Sequence, residues 1–294
     1  MIKTNSFKAF VLAARPKTLT GASVPVMIAL ALALADGGVA AFRPVPAILC
    51  MLFALVMQVD ANLVNDYFDF KKGVDDEQRL GPKRACAQGW VTLGAMRKAI
   101  LVTTATACLL GLPLVAYGGW EMVGVGAACV LFCFLYTTHL SYLGLGDLLV
   151  LVFFGLVPVC ATFYLQRDTV TTETLIASMA CGLVIDTLLV VNNYRDREND
   201  RRTGKTTLVV RIGSKASEWL YLLLGVVACV MGVCFWLAGR PWAFILPLGY
   251  LALHVHTWRR MVAINKGERL NGILGDNARN MFVYGLLTTI GLIL

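Results

Sequence analysis

The sequence predicts an all-α polytopic membrane protein, with nine transmembrane helices and a cytoplasmic N-terminus. Three observations carry that prediction. The first is composition: of 294 residues, 58% are apolar and only 15% charged, with a mean hydropathy of +0.70. A water-soluble domain keeps about half of its residues outside a core, so it could not hide this much apolar surface. The second is that apolar runs of about 20 residues recur along the whole chain, each long enough to cross a ~30 Å hydrocarbon layer. The third is the one-sidedness of the basic charge. With the N-terminus inside, Lys and Arg number 4 before the first span, 7 in 69–98, 7 in 195–216 and 5 in 259–279. Only Arg43, Arg167 and Arg240 fall outside. Cytoplasmic loops accumulate Lys and Arg in this way.

Taken in order, the first span, 19–36, follows Arg15, Pro16 and Lys17, a basic start that runs straight into the span with no signal-peptide pattern. The second, 46–68, ends in a cluster of asparagine and aspartate. Spans 97–117 and 122–139 follow. The fifth, 147–165, begins at Asp147 after a short inside connection, 140–146, that carries no charge. The sixth, 174–194, ends in a second Asn/Asp cluster, and 217–238, 243–258 and 278–294 complete the set. The last inside connection, 259–277, is long and polar, whereas outside loops such as 36–45 and 166–173 are short and show no chemical pattern.

No linker, low-complexity tract or break in composition divides the chain, so it reads as one domain, 1–294. A weak repeat runs through it, about 1–139 and 140–294. Each Asn/Asp cluster ends an even-numbered span, four spans apart, and each is followed by a polar cytoplasmic stretch, 69–96 or 195–216, with an early glycine, Gly73 or Gly204. An even number of intervening spans keeps both halves in one orientation, as in a parallel duplication, so the two clusters face one cavity as half-sites.

The formal charge of +8 lines cytoplasmic loops, where it meets anionic lipid or a phosphorylated substrate; no nucleic-acid partner is expected. The nine cysteines form no CxxC pair. Cys129 and Cys133 lie one turn apart without a nearby histidine, which favours packing over metal binding.

The chemistry sits in the clusters. At helical pitch Asn62, Asn65, Asp66 and Asp69 share a face, as do Asn192, Asn193, Asp196 and Asp200. Oxygen ligands at membrane depth are costly and need a reason. A solvated helix end would explain either cluster alone; two in equivalent positions, each trailed by glycine and basic residues, favour magnesium-held diphosphate. Mg²⁺ takes one or two carboxylates plus phosphate oxygens. Lys71, Arg79, Lys83, Arg84, Lys205 and Arg211 are candidates to neutralise the rest of the charge. A diphosphate held in this way is a good leaving group, and an allylic partner would ionise to a delocalised cation. Tyr67, Phe68, Tyr136 and Tyr194 are placed to shield such a cation, while for Tyr136 and Tyr142 an interfacial belt is the competing reading. Asp60 and Asp186 lie deeper in their spans. They either line the cavity, pair with a base or stay protonated.

The ordered set NDYFDFKKGVDD…RLGPKR, YLGLGD and NNYRDRENDRRTGKTTLVVRIG, with ARPKTL before the first span, resembles the paired aspartate-rich motifs of the intramembrane aromatic prenyltransferases, in detail those of the naphthoate branch. The resemblance runs end to end. It implies a ring of nine helices around a central cavity, capped by the two motif loops, in a bacterial inner membrane with the site facing the cytoplasm. The family pattern NxxxDxxxD falls on Asn65 and Asp69, but its third position is Gly73. That leaves Asp66 or Asp75 as the third ligand, while DxxxD falls on Asp196 and Asp200. The implied metal ligands are Asn65, Asp66, Asp69, Asp75, Asn193, Asp196 and Asp200, with Asp66, Asp69, Asp196 and Asp200 catalytic. Implied substrate contacts are Lys17, Asn62, Arg79, Tyr136, Asn192, Lys205 and Arg211. The implied reaction moves a polyprenyl chain from its all-trans diphosphate to 1,4-dihydroxy-2-naphthoate, with loss of CO₂ and diphosphate and Mg²⁺ as the only cofactor. The competing functions are prenyl transfer to another quinone precursor and cation-coupled transport; the latter would spread ionisable residues through the midplane rather than gather them at one face.

Overall fold

The computed structural model describes residues 2–73 and 80–294, and among these every regular element is helical. Seven helical stretches are long and apolar enough to cross a membrane: Phe7–Gly37, Pro44–Lys71, Leu93–Gly118, Glu121–Thr138, Gly146–Arg167, Thr172–Arg202 and Leu208–Leu237. The last two expected spans, 243–258 and 278–294, fall on helices Leu248–Ile264 and Leu270–Ile293. Neither joins the seven. The former has 17 residues, and the latter carries Asn271, Asp276, Asn277, Arg279 and Asn280 in its first half.

Helix starts follow local chemistry. Hydroxyls of Ser6, Thr92, Thr171 and Thr207 each accept a backbone N–H of the first turn that follows, satisfying donors with no intrahelical partner. Pro44 opens its helix at a position where a missing N–H costs nothing. The first stretch is broken at Arg15 (φ 50°) before Pro16, so that a short helix, Phe7–Ala14, precedes the expected first span.

Thr172–Arg202 is the central helix. In its most apolar stretch 67% of residues are buried, against 6% for Glu121–Thr138 and 17% for Leu93–Gly118. Those outer helices leave large apolar side chains uncovered (Leu101, Leu109, Leu131), as lipid-facing helices do. The central helix packs against its neighbours through small residues. A Cβ built on Gly155 would lie 2.6 Å from the Ser178 carbonyl oxygen and 2.9 Å from the Gly182 Cα. Backbones therefore meet directly there, the contact that small residues permit in membranes.

The helix ends divide into two sets. At one end Arg43 pairs with Asp168 at 2.5 Å, and Arg240 pairs with both Asp36 and Glu173. Gln166 and the Arg43 backbone bond each other twice, at 2.8 Å each. The other end carries both Asn/Asp clusters. There the second cluster is not in a loop: the central helix continues through it to Arg202, leaving only 203–207 before Leu208. Buried side-chain bonds from this stretch, described below, hold it helical despite its polarity.

Candidate active site

Both motifs occupy the C-terminal turns of long helices that stop just before a left-handed glycine, Gly73 at φ 70° and Gly204 at φ 75°. Such a residue ends a helix without the Cβ penalty. From the first helix the four motif side chains reach four different neighbours. The Asn62 amide donates to the Ala14 carbonyl (2.9 Å) and the Thr18 hydroxyl (2.8 Å). The Asn65 carbonyl accepts the Thr137 hydroxyl at 2.6 Å. Asp66 is buried, and its two oxygens accept the N–H groups of Ala85 (2.8 Å) and Cys86 (2.9 Å). Asp69 lines an open cleft and meets Arg84 at 3.3 Å.

The second helix supplies the opposite wall, with Asn192, Asp196, Asn199 and Asp200 on the cleft. Thus three of the expected carboxylates, Asp69, Asp196 and Asp200, converge with two cations, Arg84 and Lys205. Asn193 and Tyr136 instead line a narrower adjoining cavity, which Lys205 also reaches. Lys17 is exposed on the Pro16–Thr18 turn and lines neither cavity. The Arg211 guanidinium donates to the Leu143 carbonyl at 2.6 Å, clamping the 140–145 turn onto the second motif. Asp75 and Arg79 lie outside the described residues.

The main residue that sequence reasoning passed over is Arg195. Its side chain is fully buried and grips Asp196 with two bonds, Nε to Oδ1 at 2.8 Å and Nη2 to Oδ2 at 2.5 Å. It also donates to Asn192 and Asn271, both at 2.9 Å, and Asn271 in turn holds the Leu80 carbonyl at 2.7 Å. In the sequence it is one basic residue among those of the cytoplasmic side, and its signal there is its place three residues after Asn192. Tyr142 gains a role in the same way. Its ring lies under the Lys72 ammonium, 4.1 Å from the centroid, and 5.8 Å from that of Lys205. Burial pushes the Lys72 pKa down; Asp69 opposes that shift and Lys205 reinforces it.

The residues present fit a hard divalent cation that arrives with an anion. Asp200 Oδ2 is buried and has no hydrogen-bond partner among the described residues. Carboxylate and amide oxygens are the donors Mg²⁺ prefers. Yet no three acidic, histidine or cysteine side chains among the described residues form a ready metal centre. Asp66 is engaged by backbone and Asp196 by Arg195, so further oxygens must come from the ligand.

A family model described as the UbiA prenyltransferase family matches residues 22–283. The chain belongs to this family. Among curated relatives, the 1,4-dihydroxy-2-naphthoate octaprenyltransferase of Escherichia coli K12 is 37% identical over 227 residues, 74% of this chain and 73% of that one. The protein of the same name from Mycobacterium tuberculosis is 34% identical over 289 residues, covering 96% and 95%. Among solved structures, a UbiA homologue from Aeropyrum pernix K1 aligns with TM-score 0.69 at 16% identity, covering 93% and 96%. One from Archaeoglobus fulgidus, bound to GPP and Mg²⁺, aligns with TM-score 0.67 at 12% identity, covering 96% and 99%. This UbiA-type chain is therefore a multi-pass membrane prenyltransferase, and the cleft lies between its two aspartate motifs.

Proposed function

We propose that the protein transfers a polyprenyl chain from its all-trans diphosphate to 1,4-dihydroxy-2-naphthoate, releasing diphosphate and CO₂ and yielding a demethylmenaquinol. The observation that supports this most is the convergence of Asp69, Asp196 and Asp200 with Arg84 and Lys205 on one cleft, in a chain whose curated relatives carry that activity in their names. Asp69, Asp196 and Asp200, with Asn192 and Asn199, would hold Mg²⁺. When bound, the ion neutralises diphosphate charge and makes it a better leaving group. Arg84 and Lys205 orient the diphosphate, and Arg195 holds Asp196 at the cleft wall. Asp66 fixes the loop that carries Arg84. The Tyr136 ring stands beside the path of the allylic cation. Loss of CO₂ from the attacked ring carbon restores aromaticity.

In this reading nine spans, in two similar halves, ring a central cavity that opens to lipid for the prenyl tail. The basic excess on the motif side supports a cleft that faces the cytoplasm, and in this reading the membrane is a bacterial inner membrane. The test is turnover by purified protein in lipid nanodiscs with the naphthoate, polyprenyl diphosphate and Mg²⁺, followed as CO₂ and prenylated naphthol. Asp69→Ala and Asp196→Ala should each cost on the order of 10²–10³ in kcat. Full activity in either variant would sink the assigned site. Faster prenylation of a different phenolic acceptor would overturn the acceptor.

A further inference from the structure

Beside the cleft lies a narrower crevice, walled by Tyr136, Ser141, Asp147, Asn193, Lys205 and Thr207. Its chemistry differs from that of the cleft. Asp147 is 8% exposed, and neither of its carboxyl oxygens has a hydrogen-bond partner among the described residues. Asp186, 3% exposed and within electrostatic reach of Asp147, likewise has Oδ1 unpartnered. Unsatisfied buried carboxyl oxygens are expensive, so this arrangement calls for a ligand that brings donors.

The occupant can be chosen by what it offers. Diphosphate has only acceptors and repels a carboxylate. A prenyl tail would leave the oxygens orphaned. A divalent cation finds one carboxyl on this lining, and no metal-ligand group forms among the described residues. A phenolic hydroxyl supplies the missing donor on a flat ring edge. Gly146 packs beside the Tyr136 hydroxyl and Leu189, where a Cβ would meet them at 3.7 and 3.4 Å. On Gly144 (φ 74°) it would lie 2.5 Å from the Thr206 carbonyl, so the turn that presents Asp147 is pressed onto the second motif.

The geometry points to Asp147 as the residue that binds the aromatic acceptor, its carboxyl accepting a hydrogen bond from a phenolic hydroxyl of the ring. Lys205, on both cavities, then sits between acceptor and diphosphate and sets their approach. This assignment rests on the proposed prenyl transfer to a dihydroxy aromatic.

The experiment is steady-state kinetics of the full chain in nanodiscs, varying naphthoate at saturating polyprenyl diphosphate and Mg²⁺, then the reverse. Asp147→Ala should raise KM for the naphthoate about tenfold or more while leaving KM for the diphosphate within about twofold. Asp147→Asn, which keeps a carbonyl acceptor in the same shape, should recover part of the loss. The decisive arm uses two monomethyl ethers of the naphthoate, each with one hydroxyl blocked. The wild type should reject one of them at least about tenfold in kcat/KM, since a site built to bond a hydroxyl discriminates strongly against its absence. In Asp147→Ala that discrimination should vanish. A variant that shifts both KM values together, or still tells the ethers from the parent, overturns the assignment and leaves Asp147 a structural residue. Should the alanine variant not accumulate, the same ether ratio is read in Asp147→Leu, which removes both acceptor oxygens at similar volume, and undiminished discrimination there overturns it equally. Failure of the wild type to prenylate any naphthoate is a separate result, and it removes the proposed function itself.

Discussion

Arg195 shows how one side chain can carry both architecture and chemistry. Its guanidinium bonds Asp196, Asn192 and Asn271 from a fully buried position. The fork geometry that permits this belongs to arginine alone. Removing one partner of a buried pair leaves the other charged and unpaired, at a cost of about 3–5 kcal/mol. Arg195→Ala should therefore lower the thermal midpoint in detergent well beyond Asp196→Asn, which leaves a neutral partner. Arg195→Lys should not rescue it, because an ammonium cannot span Asp196 and Asn271 together. Equal midpoints for Arg195→Lys and the wild type would refute this role. The same residue marks where sequence reading ran out. Helical pitch put Asn62, Asn65, Asp66 and Asp69 on one stripe, but only Asp69 of these faces the cleft. A stripe about 100° wide touches several neighbours, and which neighbour takes which side chain depends on packing that pitch does not encode. Pitch does not decide the partner of Asp60 either. It accepts hydroxyl bonds from Thr103 and from Thr104 (2.8 Å), pinning one helix to the next.

Elements were more legible than residues, because capping and apolar runs are local. Ser6, Thr92 and Thr171 cap helix starts in the structure, and the motif helices stop just before Gly73 and Gly204. The helical turns from 195 to 202 are not legible as helix, since their polar sequence reads as loop until Arg195 and Arg197 find their partners on Asn271 and Asn265. The segment after Leu80 is instead held by Asp66. In Asp66→Asn the amide NH₂ would face one of the two backbone donors it now satisfies, at a cost of about 1–3 kcal/mol. The variant should be cut faster by trypsin at Lys83 or Arg84 than wild type, at unchanged membrane insertion; an unchanged cleavage rate would contradict the anchor. At the opposite end the Arg43 guanidinium, through its hydrogen bonds and its charge, holds the Asp168 carboxyl below the usual carboxylate range. A depressed folded-state pKa contributes stability above the unfolded value of about 3.9 and loses it as pH falls through the folded one. The pair is largely exposed, so its worth is small and sensitive to salt. Asp168→Asn should thus lower the midpoint slightly at neutral pH, with the difference shrinking as pH falls below about 3.9 and in high salt. A gap that stayed constant as the pH fell would point to a different cause.

For the whole molecule, composition alone was enough to read an apolar helical bundle, because burial against lipid needs little more than length and hydropathy. Where the two motifs meet was inferred from topology, and it is the cleft, not either helix, that holds the chemistry. The incompleteness of that cleft has a thermodynamic consequence. Among the described residues no three ligands stand ready for a metal, Asp196 is already paired and Asp200 keeps one oxygen unpartnered. Mg²⁺ that needs phosphate oxygens to finish its shell binds weakly alone and strongly with the diphosphate. A ligand that binds only the folded state stabilises it by RT ln(1 + [L]/Kd), about 2.7 kcal/mol at a hundredfold excess over Kd. Millimolar Mg²⁺ alone should then leave the thermal midpoint nearly unchanged, as should a non-ionising prenyl thiodiphosphate in EDTA. Together they should raise it by far more than the sum of the two separate shifts. In Asp200→Ala the joint shift should collapse, while Asp147→Ala should retain it because that residue faces the acceptor cavity. A large shift from Mg²⁺ alone would mean that a complete metal centre exists before substrate arrives, and the cleft would have to be redrawn around it.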